Sequence, residues 1–189
     1  MADWTIGTGS NPSHFRTRAD TPFIRYFQES TAASTAVIKL GDIVSNDTVV
    51  STGGFRIVRA PFNGGGGGNL LNTTNVLGVA VEASTSDGST AGLSNPQTRL
   101  IGVMVPSGET EYLGYLVGTD NVSASSLVGL TRAVRYDSTN RIYAIDSTNS
   151  TAALHSVVIT DIPDGTVGDT NGPVVFKFLS TGVSPAVRG

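Results

Sequence analysis

A chain of 189 residues can bury roughly 70% of its unfolded surface in one medium domain or two small ones. It contains no cysteine, which excludes a disulfide framework, a thiolate metal site and a cysteine nucleophile. Charged residues make up only 14%, where about 25% is usual; residues 1–62 carry six basic and five acidic groups and residues 63–189 six and ten, so neither part has the clustered basic face of a nucleic-acid binder.

The opening residues, MADWTIGTGSNPSHF, show no charged stretch followed by an apolar one, so no secretory leader is expected. No apolar run approaches the eighteen or so residues of a membrane span, and no membrane partner is expected. Residues 1–35 hold Trp4, Phe15, Phe23, Tyr26 and Phe27, five of the thirteen aromatics, among Gly, Pro, Ser and Asn. Phe23 to Glu29 has room for one or two helical turns, but the prolines and the GTGSNPS run favour an extended arm over 1–35. Arg16, Arg18 and Arg25 interleave with these aromatics, a make-up that suits stacking on single-stranded nucleic acid or anchoring at a protein interface. Asp3, Asp20 and Glu29 balance the three arginines, which favours the protein interface, with Trp4, Phe15, Arg16, Arg18, Phe23, Arg25, Tyr26 and Phe27 as its contacts. On this reading residues 2–30 can be deleted without unfolding the rest.

From Ala36 onward the chain reads as short β-branched runs separated by Gly, Asn, Asp and Ser, which predicts an all-β sandwich or barrel over 36–189. Strands are predicted near 36–44, 47–51, 54–60, 76–83, 98–105, 111–117, 131–137, 140–146, 154–161 and 173–179. A flexible segment at Ser84 to Pro96 allows two small subdomains divided near 84–97. In AVRYDSTNRIYAID the DSTN turn joins two alternating runs, with Val134 and Tyr136 on one face of the first and Ile142 and Ala144 on one face of the second. The segments VLGVAVEAS and LIGVMVPSG echo one another, as two matched strands of one sheet would. No segment is rich enough in Ala, Leu, Glu and Lys to predict more than minor helix. The five glycines between Asn63 and Asn69 predict a mobile loop tip.

Catalytic and ligand-binding patterns are weak throughout. The glycine run leads into Asn69, Leu70 and Leu71 and lacks the Lys-Ser/Thr ending and helix of a phosphate loop. His14 and His155 stand alone, without metal-ligand spacing, and no Gly-x-Ser-x-Gly elbow accompanies them. Asp161, Asp164, Asp169 and Asn171 in DIPDGTVGDTNG offer oxygen ligands at a spacing that fits no EF-hand loop and better suits Asx and Gly turns. Glu109 and Glu111 point the same way from a strand, as paired catalytic acids would, although exposed acids on a solvated face are commoner. The sequons at Asn46, Asn72, Asn121 and Asn149 are as many as chance supplies in a chain this rich in Ser and Thr. No enzyme activity, cofactor or metal is therefore expected.

The run AVIKLGDIVSNDTVVSTGGFRIVRA, followed by VLGVAVEAS, resembles the small β-rich head decoration (cement) proteins of bacteriophages, over roughly residues 36–105. The resemblance implies a compact β-barrel or β-tulip domain. It also implies a structural role at the virion exterior, binding the major capsid protein at junctions between subunits and holding them against internal DNA pressure, after synthesis in the host cytoplasm. Self-association is expected, with a trimer favoured, since decoration sites often lie on three-fold axes and closed rings protect sheet edges. Two further readings are a carbohydrate- or host-binding module of a head fibre or adhesin, and a ring-forming tail or neck component. The first would need aromatics gathered on loops, whereas Tyr112, Tyr115, Tyr136 and Tyr143 fall mostly within predicted strands.

Overall fold

The computed structural model describes residues 23–29, 38, 40–46, 56–59, 62–63, 70–71, 76–82, 100–106, 110–137, 142–148 and 152–179. These residues are nearly all β. In chain order the strands are β1 (Ile24–Glu29), β2 (Ile43–Asn46), β3 (Arg56–Arg59), β4 (Phe62–Asn63), β5 (Leu70–Leu71), β6 (Val76–Ala80), β7 (Leu100–Met104), β8 (Tyr112–Val117), β9 (Thr131–Asp137), β10 (Ile142–Asp146), β11 (Val157–Asp161) and β12 (Pro173–Phe178). Short 3₁₀ turns at Ser125–Leu127 and Ala152–Leu154 are the helical content among the described residues.

The N-terminal strands close into a five-stranded barrel in the order β1-β3-β2-β6-β7, with β1 returning to pair with β7. The remaining strands form a sheet in the order β10-β8-β12-β11-β9-β5-β4. Within it β10 pairs in parallel with β8 and antiparallel with β9, so five of its strands also run in a circuit, and the β4–β5 hairpin hangs from β9.

Two predicted features are met directly. The hairpin flanking DSTN forms, with Asp137 opposite Ile142 and Ala133 opposite Asp146. The echoing segments are β6 and β7, neighbours in the barrel, with Val79 opposite Met104 and Ala80 opposite Val103.

Elsewhere the structure corrects the expectation. Ile24–Glu29, read as part of the extended arm, is a barrel strand. Ile24 to Gln28 lie opposite Met104 to Leu100, and Gln28 and Glu29 opposite Arg56 and Ile57. A deletion of residues 2–30 therefore removes a wall of the barrel. The strand expected over 36–44 starts only at Ile43, because Leu40 and Gly41 turn there, held by the Gly41 N–H to the Ala80 carbonyl (2.8 Å). The strand expected over 154–161 starts at Val157, after the 3₁₀ turn. In the second arm of the DSTN hairpin Tyr143 and Ile145, paired across from Tyr136 and Val134, join the apolar cluster between barrel and sheet. The expected strand 47–51, the glycine run and the segment 84–97 lie outside the described residues.

Two apolar clusters fill the molecule. Phe27, Ile38, Val44, Leu77, Ala80, Ile101, Val103 and Val105 pack inside the barrel. The second cluster joins Ile43, Val76, Val79 and Met104, on the barrel's outer face, to Tyr112, Leu116, Val134, Tyr136, Tyr143, Ile145 and Phe176 of the C-terminal sheet. Phe178 packs against both. The two-sided burial of β6 explains why VLGVA reads as a continuous apolar run and not as an alternation.

Gly78 makes that double burial possible. Val44 pairs with Gly78 and Ser45 with Val76, so Leu77 is an extra residue on β6. The bulge turns Val76 and Val79, three apart, to the same cluster and leaves Leu77 and Ala80 for the barrel interior.

Candidate protein-binding surfaces

Of the residues expected at an interface, Trp4, Phe15, Arg16 and Arg18 lie outside the described residues. Arg25, Tyr26 and Phe27 lie on β1 with Phe23 just before it, and alternation splits them, Tyr26 facing one way and Arg25 and Phe27 the other. Phe27 points into the barrel and is 9% exposed, so it is a core residue. Phe23 and Tyr26 remain 52% and 60% exposed. The Arg25 guanidinium lies over the Phe23 ring at 4.9 Å from its centroid, a cation–π contact that keeps both groups at the surface.

The register adds residues that sequence reasoning missed. Ile24 and Tyr26 share a face with Gly102 and Leu100 of β7, and both Ile24 and Leu100 are exposed, Leu100 at 60%. Gly102, opposite Tyr26, is itself covered: an added Cβ would meet the Val81 and Glu82 side chains, and the Glu82 carboxylate accepts the Gly102 N–H at 3.1 Å. The outer wall of β1 and β7 therefore presents an apolar row of Ile24, Tyr26 and Leu100 with Glu82 beside it, while Phe23 and Arg25 are exposed from the other face at the strand's start. Leu100 is distant in sequence from the aromatic segment, and only strand pairing unites them.

Three of the tyrosines serve packing. Tyr112, Tyr136 and Tyr143 are buried, with Tyr136 and Tyr143 in contact at 5.0 Å between centroids and Tyr112 stacked on Phe176 at 5.6 Å. The Tyr112 hydroxyl donates to the Met104 carbonyl across the junction between barrel and sheet (3.4 Å). Burial pushes the Tyr112 phenol well above its ordinary value of 10.0. Folded Tyr112 thus holds its proton where the unfolded chain loses it, so stability is expected to be unaffected by this group below about pH 10 and to fall above it. Thermal melts between pH 8 and pH 11 check this, with Tyr112→Phe expected to flatten the alkaline fall and to cost about 1 kcal/mol at neutral pH.

The groups weighed for chemistry have structural partners. His155 lies between the 3₁₀ turn and β11, its Nδ1 2.7 Å from the Thr131 hydroxyl. Glu111 pairs with Lys177 at 3.9 Å, and Glu109 lies outside the described residues. The buried Asp146 pairs with Arg135 (3.9 Å) and accepts the Thr148 N–H (3.0 Å). The DIPDGTVGDTNG segment is a chain of turns, with Gly165, Gly168 and Asn171 in the left-handed region and the Asp161 carboxylate accepting the Ile162 N–H. Among the described residues no three His, Asp or Glu side chains form a metal-binding group. Comparisons with protein-family models, curated proteins and solved structures find no match to this chain.

Proposed function

We propose that this chain is a structural virion protein that coats the outside of an icosahedral phage capsid by binding the major capsid protein. The observation that carries the reading is the row of exposed large apolar groups on the β1–β7 wall, Ile24, Tyr26 and Leu100, with Phe23 and Arg25 also exposed at the start of the same strand. Aromatic and Arg side chains in such a patch are what protein interfaces use as anchors. The sequence resemblance supports the same reading: its two most distinctive pieces, Leu40 to Val44 and Val76 to Ala80, pack against one another in the barrel as the turn into β2 and its partner β6. Burial of Tyr112, Tyr136 and Tyr143 within strands weighs against a glycan-binding role for those aromatics.

Burying Tyr26 and Leu100 against a partner is worth roughly 3 kcal/mol before ordering costs, or about two orders of magnitude in affinity. Tyr26→Ser with Leu100→Ser is accordingly expected to melt with the native protein and to bind shells of the same virus's major capsid protein at least tenfold more weakly. Undiminished coating of shells by that variant would overturn the proposal. His155→Ala is expected to bind shells within a few-fold of the native chain, since its ring contacts Thr131 at the sheet and not the proposed wall.

A further inference from the structure

At the end of β8 away from the barrel, the loops 118–130 and 162–172 are laced into one platform. The Ser123 N–H donates to the Asp169 carbonyl (3.0 Å), the Gly168 N–H to the Ser123 carbonyl (2.8 Å), and the buried Ser123 hydroxyl to the Thr166 carbonyl. Val122 bridges to Thr170, and the Gly129 N–H reaches the Ile159 carbonyl at 2.8 Å. Loops fixed this way are preorganised for contact.

What they display is unusual for turns. Val122, Val128, Leu130 and Val167 are all exposed, Val167 at 60%. Asp120, Asp164 and Asp169 are exposed among them, and neither loop contains a Lys, Arg or His. Arg132, the nearest basic residue along the chain, turns its guanidinium back onto the Thr131 carbonyl (2.8 Å). An apolar surface studded with uncompensated acids selects a ligand that is itself apolar and basic.

The chain contains such a ligand. Residues 14–18, His-Phe-Arg-Thr-Arg, put two arginines and an aromatic in five positions with no acid, and in an extended segment Arg16 and Arg18 face the same way. They lie just before Phe23, whose carbonyl accepts the Val105 N–H beside the junction of barrel and sheet. The platform stands beyond the far end of β8, roughly 20 Å along that six-residue strand.

We propose that the platform formed by loops 118–130 and 162–172 binds residues 14–18 of a second copy of this chain, with Arg16 and Arg18 on its aspartates and Phe15 against its aliphatic groups. The contact is heterologous, the type that builds a ring wherever the rotation between copies closes. It rests on the structural reading above in supplying the self-contact that a coat of such proteins needs.

The test uses the full chain and sedimentation at rising concentration and salt. The native protein is expected to associate, and Asp164→Lys with Asp169→Lys, or Arg16→Glu with Arg18→Glu, to weaken association at least tenfold while melting normally. An equimolar mixture of the two variants is expected to form hetero-oligomers, because each then offers a charge-matched arm to the other's platform. A native protein monomeric at all concentrations, reversals without effect, or a mixture that stays monomeric would each overturn the proposal. Shell binding measured in parallel separates the two readings: association that persists in a protein unable to coat shells removes the capsid role and leaves this contact standing.

Discussion

A chain lacking residues 2–30 is expected to lose its cooperative thermal transition, whereas a chain lacking residues 2–22 is expected to fold with nearly native stability. The difference is β1. Its backbone is bonded along β7 from Ile24 to Gln28 and touches β3 at Gln28 and Glu29, so its removal opens the barrel and leaves strand edges unpaired on both sides. Phe27 leaves the interior cluster at the same time, and loss of a buried phenylalanine alone costs about 3–5 kcal/mol. Set against a total stability of about 5–15 kcal/mol, those losses together exceed what the barrel can absorb. The shorter deletion touches no described strand. It does remove Trp4, Phe15, Arg16 and Arg18, and binding to shells is expected to fall by orders of magnitude through lost contacts and lost avidity. Circular dichroism melts of both truncations and shell co-sedimentation of the shorter one check the pair. A folded chain without residues 2–30 would show that the barrel closes without β1.

Gly78→Ala is expected to be among the most damaging single substitutions in the molecule. A Cβ at this position would stand 2.1 Å from the Met104 carbonyl oxygen and 2.9 Å from Val103 Cγ1, with φ at +154°. The first obstacle is backbone, and β7 cannot retreat because it is paired with β1 on its other side. Relief requires β6 and β7 to separate, which breaks their ladder and disturbs the junction where Val79 and Met104 meet the C-terminal sheet. We expect a loss of roughly 3–5 kcal/mol, equivalent to a fall in Tm of about 10 °C or more for a chain of this size. Gly165→Ala is the control: its φ is also positive, at +78°, but nothing lies within 4 Å of the added atom, so only the local left-handed penalty of about 1 kcal/mol applies. Equal effects in the two variants would show that conformation, and not the close approach of β7, sets the cost.

Much of the exposed apolar surface around β1 was readable as composition and little of it as geometry. Phe23, Arg25 and Tyr26 stand out in the sequence because large aromatics and arginines crowd a segment without helical period, and they do reach the surface. Phe27, from the same segment, is core, and the distinction turns on which face of β1 the barrel encloses. Ile24 and Leu100 carry no signal of exposure in their local sequence. Asp164, Gly165 and Asp169 were legible as turn formers, but not their lacing to Ser123, which depends on β8 and β12 running antiparallel so that their loops meet at one end.

The sequence by itself determined the β class, the hairpin around DSTN, the matched strands β6 and β7, and the turns of 162–172, because each follows from alternation or from Gly, Asn and Asp within a few consecutive residues. Only the tertiary structure decided that β1 belongs to the barrel, that Tyr143 and Ile145 face inward, and that Gly78 sits at a bulge. Alternation marks two faces of a strand without saying which one will be covered, and a run such as VLGVA, buried on both sides, does not mark even that. The covering partner is supplied by strands far away in the chain, whose pairing is settled by packing the whole.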